Sequence, residues 1–353
     1  MDPAKIELDP RASDHPLVSI CITTHNYGRF LAACVDSVIS QSYPNIECIV
    51  VDDASDDDTP RVLAGYAGLI RVLRHDTARG QLAAIGSAFS MTSGSFIAFV
   101  DADDTLYPDF VRTHVAAHQS PGAFAAMTGS LQDITDADGK VLGTHPVSGP
   151  RPDSSRALLS SPRRAPVELT LMEPHCNPAH QWLWSAASSL MFRRDVLHLM
   201  LVPPPDAAAS RIFADTYLAH FAHAIGGSVR IDAALSTYRR HGGNFFADNL
   251  ILGGSSPATT RRHANQDNLP AIAAQIMANR EALFLALGAR RFVELLAKFC
   301  RLSQAAATIR SVAPGRATRL IPLFIALRMT RRVRAGSFWL RKDAAILTLS
   351  DAR

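Results

Sequence analysis

Three aspartates that follow a short apolar run are the residues best placed to do chemistry. The run Phe96–Val100 leads directly into Asp101, Asp103 and Asp104. Carboxylates clustered at the end of a buried strand repel one another and lose solvation, and a bound cation offsets that cost. Their hard oxygen atoms suit Mg²⁺ or Mn²⁺, which can bridge two phosphate groups. The cluster therefore predicts a divalent-metal site, and a solvated aspartate-rich turn is the simpler alternative.

A hydroxyl, an amide and an aromatic ring come together after an earlier apolar run. They belong to Thr23, Asn26 and Tyr27. The hydroxyl and the amide can hydrogen-bond a uracil-type base and its ribose, and the ring can stack on them. These residues predict a nucleotide contact, and an ordinary strand-to-helix turn with an asparagine cap is the alternative.

The acidic residues after the next apolar run are divided between two predicted roles. Asp53 ends that run, whereas Asp56, Asp57 and Asp58 precede a helical pattern that begins at Thr59. Aspartates at a helix N-terminus cap it and compensate its dipole. We therefore expect the three later aspartates to cap a helix and to take no part in catalysis.

These side chains need a sheet that brings them to one edge. Apolar runs alternate with helical patterns over the first hundred residues, which predicts a parallel, mostly buried sheet with helices on both faces. In such sheets ligands bind beyond the carboxyl ends of the strands, so the polar residues should converge on one site. The predicted strands are Leu17–Thr23, Ile46–Val51, Ile70–Leu73 and Phe96–Val100, and the predicted helices are Phe30–Ile39, Thr59–Tyr66 and Gln81–Met91.

The pattern weakens between about residues 119 and 178, where Gly, Pro, Ser and Arg are frequent. We expect an ordered but irregular region there, with a mobile stretch near 148–166. Further elements are predicted as strands at Ser188–Phe192 and Val229–Tyr238 and as helices at Arg193–Leu201 and Arg211–His223. From Pro270 onward the periodicity is helical, and no further strand is predicted.

Composition is typical of a folded protein in a reducing compartment. The 353 residues are 47% hydrophobic and 19% charged, which argues against disorder over most of the chain. Five cysteines without regular spacing predict free thiols. The N-terminus does not look like a secretory signal, and no apolar run approaches the roughly 18 residues of a membrane span. We expect a cytoplasmic protein, with peripheral membrane contact as an option.

The three motifs together resemble the family 2 glycosyltransferases. The resemblance is detailed over Pro16–Tyr27, Val51–Thr59 and Val100–Asp109, and it extends more thinly to Asn244. It implies an α/β fold of the GT-A type, with a mostly parallel, Rossmann-like sheet flanked by helices and a helical C-terminal region. It also implies an inverting transfer of one sugar from a nucleotide diphosphate-sugar to an acceptor hydroxyl, assisted by Mn²⁺ or Mg²⁺.

The resemblance further implies the ligands and their residues. UDP is the default donor nucleotide, and deoxythymidine diphosphate would be bound almost identically. The implied acceptor is a saccharide or a lipid-linked molecule, in the synthesis of a polysaccharide, a glycolipid or another glycoconjugate. Asp53 would accept from a ring N–H of the base, Asp103 or Asp104 would bind the metal, and Asp101 would hold the ribose. The donor-binding residues that it implies are Thr23, Thr24, Asn26, Tyr27, Asp53, Arg79, Asp101, Ala102, Asp103, Arg239 and His241.

An inverting transfer needs a base that takes the proton of the acceptor hydroxyl. The resemblance implies that Asp215 supplies it from the start of a helix, although many relatives have Glu-Asp where this chain has Ala214-Asp215. The alternative is that Asp215 merely begins the helix. The segment Tyr238–Asn244 resembles a closing loop in which Arg and His approach the diphosphate, and a basic surface turn is the alternative.

Several motifs are compatible with more than one function. The segment His175–His180 offers too few ligands for a zinc site, so an acceptor-loop or structural role is preferred. Trp182 and Trp184 could stack on sugars or be buried. Gln181–Trp184 lacks the Arg of processive synthases, which favours the transfer of a single sugar. A nucleotidyltransferase and a catalytically inactive nucleotide-sugar binder are the alternative functions.

The C-terminal region carries the positive charge of the chain. Ten Lys or Arg and two Asp or Glu lie between Arg310 and Arg353, a balance of +8 that leaves −4 for the rest of a chain whose net charge is +4. Apolar residues such as Leu320 and Phe324 alternate with these arginines, so the segment is predicted either to lie on an anionic membrane or to pack on protein. No nucleic-acid recognition motif accompanies the charge, and a homo-oligomer stays an open option.

The chain is predicted to have four parts. They are a polar leader (1–15), a nucleotide-sugar-binding half (16–118), an acceptor-binding half (119–250) and a helical basic region (251–353).

Overall fold

One mixed sheet with helices on both faces organises the chain. The computed structural model describes residues 5–7, 15–120, 125–145, 167–172, 184–205, 214–241, 269–333 and 344–348. The strands are β1 (Lys5–Glu7), β2 (Val18–Thr24), β3 (Ile46–Asp52), β4 (Arg71–Arg74), β5 (Phe96–Asp101), β6 (Met127–Thr135), β7 (Val141–His145), β8 (Val167–Met172), β9 (Leu190–Arg193), β10 (Ser228–Arg239) and β11 (Ala344–Thr348). The helices are α1 (Gly28–Ile39), α2 (Thr59–Ala64), α3 (Gln81–Met91), α4 (Phe110–Gln119), α5 (Arg194–Leu201), α6 (Ala214–Gly226), α7 (269–278), α8 (Arg280–Phe299), α9 (Leu302–Val312) and α10 (Ala317–Val333).

The first half of the sheet is parallel, as predicted. The strand order is β4–β3–β2–β5, and every pairing among these four strands is parallel. In the registers, Thr24 lies beside Asp52 and Thr23 lies beside Asp101. The polar residues that end these strands therefore meet at one edge, and each predicted strand and helix before Asp101 is present with its ends shifted by two residues or fewer.

The second half of the sheet corrects the sequence analysis. Strand β9 runs antiparallel to both β5 and β6, and β10 is parallel to β6 but antiparallel to β8. Strands β6, β7 and β8 occupy a region predicted to be irregular. In β6, many buried positions carry polar side chains, which hides the strand pattern. Strand β11 was not predicted either, and it pairs with β8 and with β1, which lies in the predicted polar leader. The α/β class with a helical C-terminal region is confirmed, whereas the sheet is mixed.

The C-terminal helices pack on the sheet domain. The rings of Phe221 and Phe299 lie edge to face with 6.4 Å between centroids. The Asn279 amide donates to the carbonyl oxygens of Leu199 and Val202, which ties α7 and α8 to the end of α5. These contacts attach the helical region to α5 and α6.

The apolar side of α10 faces protein. Leu320 is 9% exposed and Phe324 is 1% exposed, and both belong to the core that also contains α8 and α9. Of the two predicted alternatives for these residues, packing on protein is the one that the structure shows, because neighbouring helices cover them. Residues 334–343, which carry the rest of that prediction, lie outside the described part of the chain.

The described residues can be compared with the predictions of free thiols and of no membrane-spanning segment. Cys21, Cys34, Cys48 and Cys300 are buried free thiols, as predicted, whereas Cys176 lies outside the described ranges. None of the helices that the structure describes combines the length and the apolar character that a membrane crossing requires.

Candidate functional site

The acidic cluster lies at the carboxyl end of β5. Asp101 is half-buried at the last position of the strand, and Asp103 and Asp104 are 9% and 1% exposed. Strands β2 and β3 end beside it, so the predicted nucleotide loop and the predicted metal motif share one edge.

Like charges dominate this edge of the sheet. Burial, followed by the charges of Asp103 and Asp215, raises the pKa of Asp101 to about 8. Burial and the charges of Asp103 and Asp101 hold the pKa of Asp104 well above its usual range. Burial and the same carboxylates raise the pKa of Tyr27 to about 12. A cation would relieve this repulsion, because it favours the ionised form of every carboxylate near it.

Protein donors hold two of the carboxylates in place. The Gln81 amide donates to Oδ1 of Asp101 over 2.6 Å, and the Asp101 backbone N–H donates to the Ser188 hydroxyl over 3.0 Å. The backbone N–H of Arg239 donates to Oδ1 of Asp104 over 3.0 Å. The other carboxylate oxygen of Asp104 is buried and lies within hydrogen-bond distance of no partner in the described part of the chain. A ligand bound at the site would supply the partner that this buried oxygen lacks.

The carboxylates of the acidic cluster fit a divalent ion that is held partly by the protein and partly by the phosphates of a substrate. Among the described residues, no group of three or more His, Cys, Asp or Glu side chains is arranged to hold a metal ion by itself. Mg²⁺ usually takes one or two carboxylates and completes its shell with water and substrate phosphates. Asp103 and Asp104, with an unpartnered oxygen on Asp104, match that pattern.

Asp215 joins the cluster from the second half of the chain. It is the second residue of α6, and its Oδ1 accepts from the N–H and the hydroxyl of Thr216. Burial raises its pKa above the usual range of a carboxyl group. Its charge also contributes to the raised pKa of Asp101. The neighbouring Ala214 is fully buried.

The nucleotide loop is held by its own polar side chains. Asn26 adopts a left-handed backbone with φ 63°, its N–H donates to the Ser55 hydroxyl, and its side-chain oxygen accepts from the Asp56 N–H. The amide predicted to contact a nucleotide therefore already holds the loop. The Thr24 hydroxyl is buried without a partner among the described residues, and the Tyr27 ring is half-buried.

The acidic run after β3 divides its roles as predicted, with one correction. Asp57 caps α2, because its Oδ1 accepts from the Thr59 N–H, and its Oδ2 accepts from the Gly28 N–H at the start of α1. Asp58 occupies the N-cap position but makes no capping bond and pairs with Arg61 at the surface. The dipole and capping explanation therefore holds for Asp57 alone.

The residues that end β10 close over the cluster. The Arg239 guanidinium donates to the carbonyl oxygens of Asp103 and Ala137, and it lies over the Phe30 ring at 5.1 Å. His241 Nε2 lies 3.0 Å from Oδ2 of Asp103, and its ring packs 4.7 Å from that of Phe30. Both residues reach the site, but Arg239 already holds two backbone carbonyls.

Some predicted residues have other positions. The Arg79 side chain is exposed, and its backbone N–H is the group that contacts Asp53. Trp184 is 1% exposed and donates to the Ser228 hydroxyl, so it is not available to stack on a sugar. His175–His180, Trp182, Gly242–Asn244 and the stretch 148–166 lie outside the described residues.

Four contributors were missed by the sequence analysis. Gln81 and Ser188 contact Asp101, His75 contacts Asp53, and Phe30 supports His241. Gln81 is the first residue of a predicted helix and directly follows a glycine. That position could have marked it as a candidate site residue. The others come from elements whose approach to the site depends on the tertiary fold.

Comparison with known proteins agrees with this geometry. The family described as Glycosyl transferase family 2 matches residues 19–163. An uncharacterized glycosyltransferase of Nostoc sp. is 27% identical over 233 residues, 64% of this chain and 66% of that protein. The UDP-Glc:alpha-D-GlcNAc-diphosphoundecaprenol beta-1,3-glucosyltransferase WfgD of Escherichia coli is 39% identical over 92 residues, 26% of this chain and 36% of that protein. The chain thus spans 66% or less of the length of these two relatives.

One solved structure resembles the chain at low sequence identity. S. aureus TarS 1–349 in complex with UDP-GlcNAc superposes with a TM-score of 0.49 and 14% identity, over 94% of this chain and 97% of that chain. The family match covers β2 to β7 and therefore includes the nucleotide loop and the acidic cluster. Residues 19–163 are therefore similar to glycosyl transferase family 2.

Proposed function

We propose that this protein transfers one sugar from a nucleotide diphosphate-sugar to an acceptor hydroxyl, with inversion at the anomeric carbon. The observation that carries the proposal is the pair of buried carboxylates, Asp103 and Asp104, that follows the carboxyl end of β5, where β2 and β3 also end. The charge of Asp215, from α6, acts on this cluster. A base and a diphosphate site on opposite sides of a sugar are what an in-line displacement requires.

Asp215 is proposed as the base. It would take the proton of the acceptor hydroxyl while that oxygen bonds to the anomeric carbon and the bond from this carbon to the diphosphate oxygen breaks. Its burial supports this role, because a raised pKa makes a carboxylate a stronger base near neutral pH. The Thr216 hydroxyl and N–H fix one of its oxygens.

The donor is proposed to lie along the ends of β2, β3 and β5. Asp53 and Tyr27 would contact the base, with UDP as the first choice of nucleotide, and Asp101 would hold the ribose. Asp103 and Asp104 would hold Mn²⁺ or Mg²⁺. When bound, the ion supplies charge neutralisation to the departing diphosphate. Arg239 and His241 contact Asp103, and they would approach the departing diphosphate.

A saccharide or a lipid-linked molecule is proposed as the acceptor. The printed name of the Escherichia coli relative includes a diphosphoundecaprenol-linked sugar as its acceptor. The described helices α9 and α10 contain arginines and no Asp or Glu, and Arg310, Arg316 and Arg319 are exposed while the apolar side faces the core. This basic face supports peripheral contact with an anionic membrane.

Liposome flotation tests the membrane contact. The protein should float with acidic liposomes at low salt and be released at high salt, because exposed charges are screened. The paired change Arg316→Glu and Arg319→Glu should abolish flotation, whereas Arg61→Glu, a change of an exposed arginine on α2, should not. Equal flotation of both variants would contradict the proposal.

A nucleotide panel tests the proposed activity. UDP-sugars with Mn²⁺ should raise the midpoint of thermal unfolding and release UDP, because a ligand that binds only the folded state stabilises it. Stabilisation without any UDP release, with a range of acceptors present, would instead indicate a nucleotide-sugar binder that does not catalyse transfer.

A further inference from the structure

A buried chain of hydrogen bonds connects α3 to the proposed base-reading carboxylate. The Ser87 hydroxyl lies 2.9 Å from Nε2 of His75, and Nδ1 of His75 lies 2.6 Å from Oδ1 of Asp53. His75 is 7% exposed and Asp53 is 5% exposed. Because a carboxylate only accepts, Nδ1 must carry the proton in this pair. The ring is therefore fixed at both nitrogens.

The same carboxylate collects two more donors. Asp53 accepts from the N–H of Arg79 over 2.9 Å and from the N–H of Gly80 over 2.7 Å. The Arg79 N–H also lies 3.0 Å from Oδ2, so the three protein donors occupy most of the roughly four acceptor directions of an ionised carboxylate. His75 thus helps to decide which direction is left for a ligand.

The loop that Asp53 holds leads directly to the acidic cluster. Gly80 adopts φ 88°, a left-handed backbone that turns its N–H toward Asp53 and starts α3 at the next residue. That residue is Gln81, whose amide donates to Asp101 over 2.6 Å. A continuous path of contacts therefore runs from His75 to the carboxylate proposed to hold the ribose.

We propose that His75 is a positioning residue that sets the orientation of Asp53 for reading a nucleobase and, through the loop at Gly80, the position of Gln81 against Asp101. The proposal rests on the proposed function, because it needs Asp53 to accept from a ring N–H. Uracil carries a hydrogen on its ring nitrogen N3, which the Asp53 carboxylate can accept. Cytosine has a lone pair at N3, which a carboxylate repels. His75 therefore controls discrimination between UDP and CDP.

The experiment measures the affinities of UDP and CDP, each with Mn²⁺, by calorimetry. The wild type should prefer UDP by roughly tenfold or more, since hydrogen bonds to charged groups are among the stronger ones. His75→Leu should reduce that preference by about tenfold. His75→Asn, whose amide can replace the Nδ1 donor, should restore most of it. A general loss of stability would weaken both nucleotides alike and leave the ratio unchanged.

The outcomes separate this proposal from the one on which it rests. A wild type without preference would overturn the assignment of Asp53 as the base reader, and the role of His75 with it. A wild type that prefers UDP, together with an unchanged preference in folded His75→Leu, would overturn the role of His75 alone. If His75→Leu does not fold, Ser87→Ala releases the ring at Nε2 and should reduce the UDP preference by a smaller factor, and an unchanged ratio would again overturn it.

Discussion

Strands β5 and β6 lie on the two sides of β9 and bury polar groups in opposite ways. Residues 96–100 of β5 are all apolar and buried, and its first polar residue is Asp101 at the end. Strand β6 buries Thr128, Ser130 and Gln132 along its length. Strand β5 is therefore an apolar support with a functional residue at its end. Strand β6 is instead held in place by hydrogen bonds between buried polar groups.

The hydrogen bonds of the polar groups in β6 extend to Asp101 at the end of β5. The Gln132 side-chain oxygen accepts from the Ala186 N–H over 2.8 Å, and its amide donates to the Thr237 carbonyl over 3.2 Å. Ala186 precedes the short helical turn that carries Ser188, which accepts from the Asp101 N–H. Polar groups inside β6 therefore position the tip of β5, so stability and function should be coupled in β6 and separable in β5.

Removal of a carboxylate at the tip of β5 should have the largest effect. Asp104→Ala should weaken Mn²⁺-dependent UDP binding by at least about 100-fold, beyond the tenfold to 100-fold typical of losing an outer partner of a metal ligand. The metal-free fold should keep its stability, because a buried like charge is removed. Calorimetry and urea unfolding measure the two effects, with the exposed Asp109→Ala as the control. Full activity of both Asp103→Ala and Asp104→Ala would end the metal hypothesis.

Changes in the middle of the two strands sharpen the comparison. Ile97→Ala in β5 should cost about 2 to 5 kcal/mol of unfolding free energy, because it leaves a cavity, with UDP release by the folded protein unchanged. Gln132→Leu in β6 should cost about 1 to 3 kcal/mol and also slow UDP release, because two backbone groups lose their partner. Urea unfolding and a UDP-release assay on the same samples give both quantities. Unchanged release by Gln132→Leu would remove the distinction between the strands.

The smallest expected effect is a pH dependence of stability at the junction of α4, β6 and β9. Burial lowers the pKa of His118 to about 3, and its Nε2 contacts the Met191 carbonyl and the Thr128 hydroxyl. The unfolded state therefore binds the proton first, and stability should be lost as pH falls below about 6.5, by up to about 1.4 kcal/mol per pH unit for each such histidine.

His118→Gln tests this dependence by urea unfolding at several pH values. The variant should lose less stability on acidification than the wild type, and His15→Gln at the surface should behave like the wild type. Part of the dependence should persist, because burial also lowers the pKa values of His114 and His220. Identical acid profiles for His118→Gln and the wild type would contradict the assignment.

The same contrast explains what the sequence could predict. An apolar run that ends in aspartate reveals both the strand and its function, so β5 and the cluster at Asp101 were predicted. In β6 the alternation of polar and apolar residues is hidden, because polar side chains are buried on it, and the strand was missed. The contact of His75 with Asp53 spans 22 residues and depends on how the loop after β4 folds back. Local patterns do not carry such information.

The central claim is that donor binding and proton removal are supplied by different parts of the chain at one site. The direct test is Asp215→Asn, measured for UDP-sugar binding by calorimetry and for sugar transfer, or UDP release where no acceptor is known, under the same conditions. Binding should stay within about twofold of the wild type, and turnover should fall by about 100-fold to 10,000-fold, the contribution typical of a general base. Loss of binding in parallel with turnover, or turnover that persists, would contradict the account.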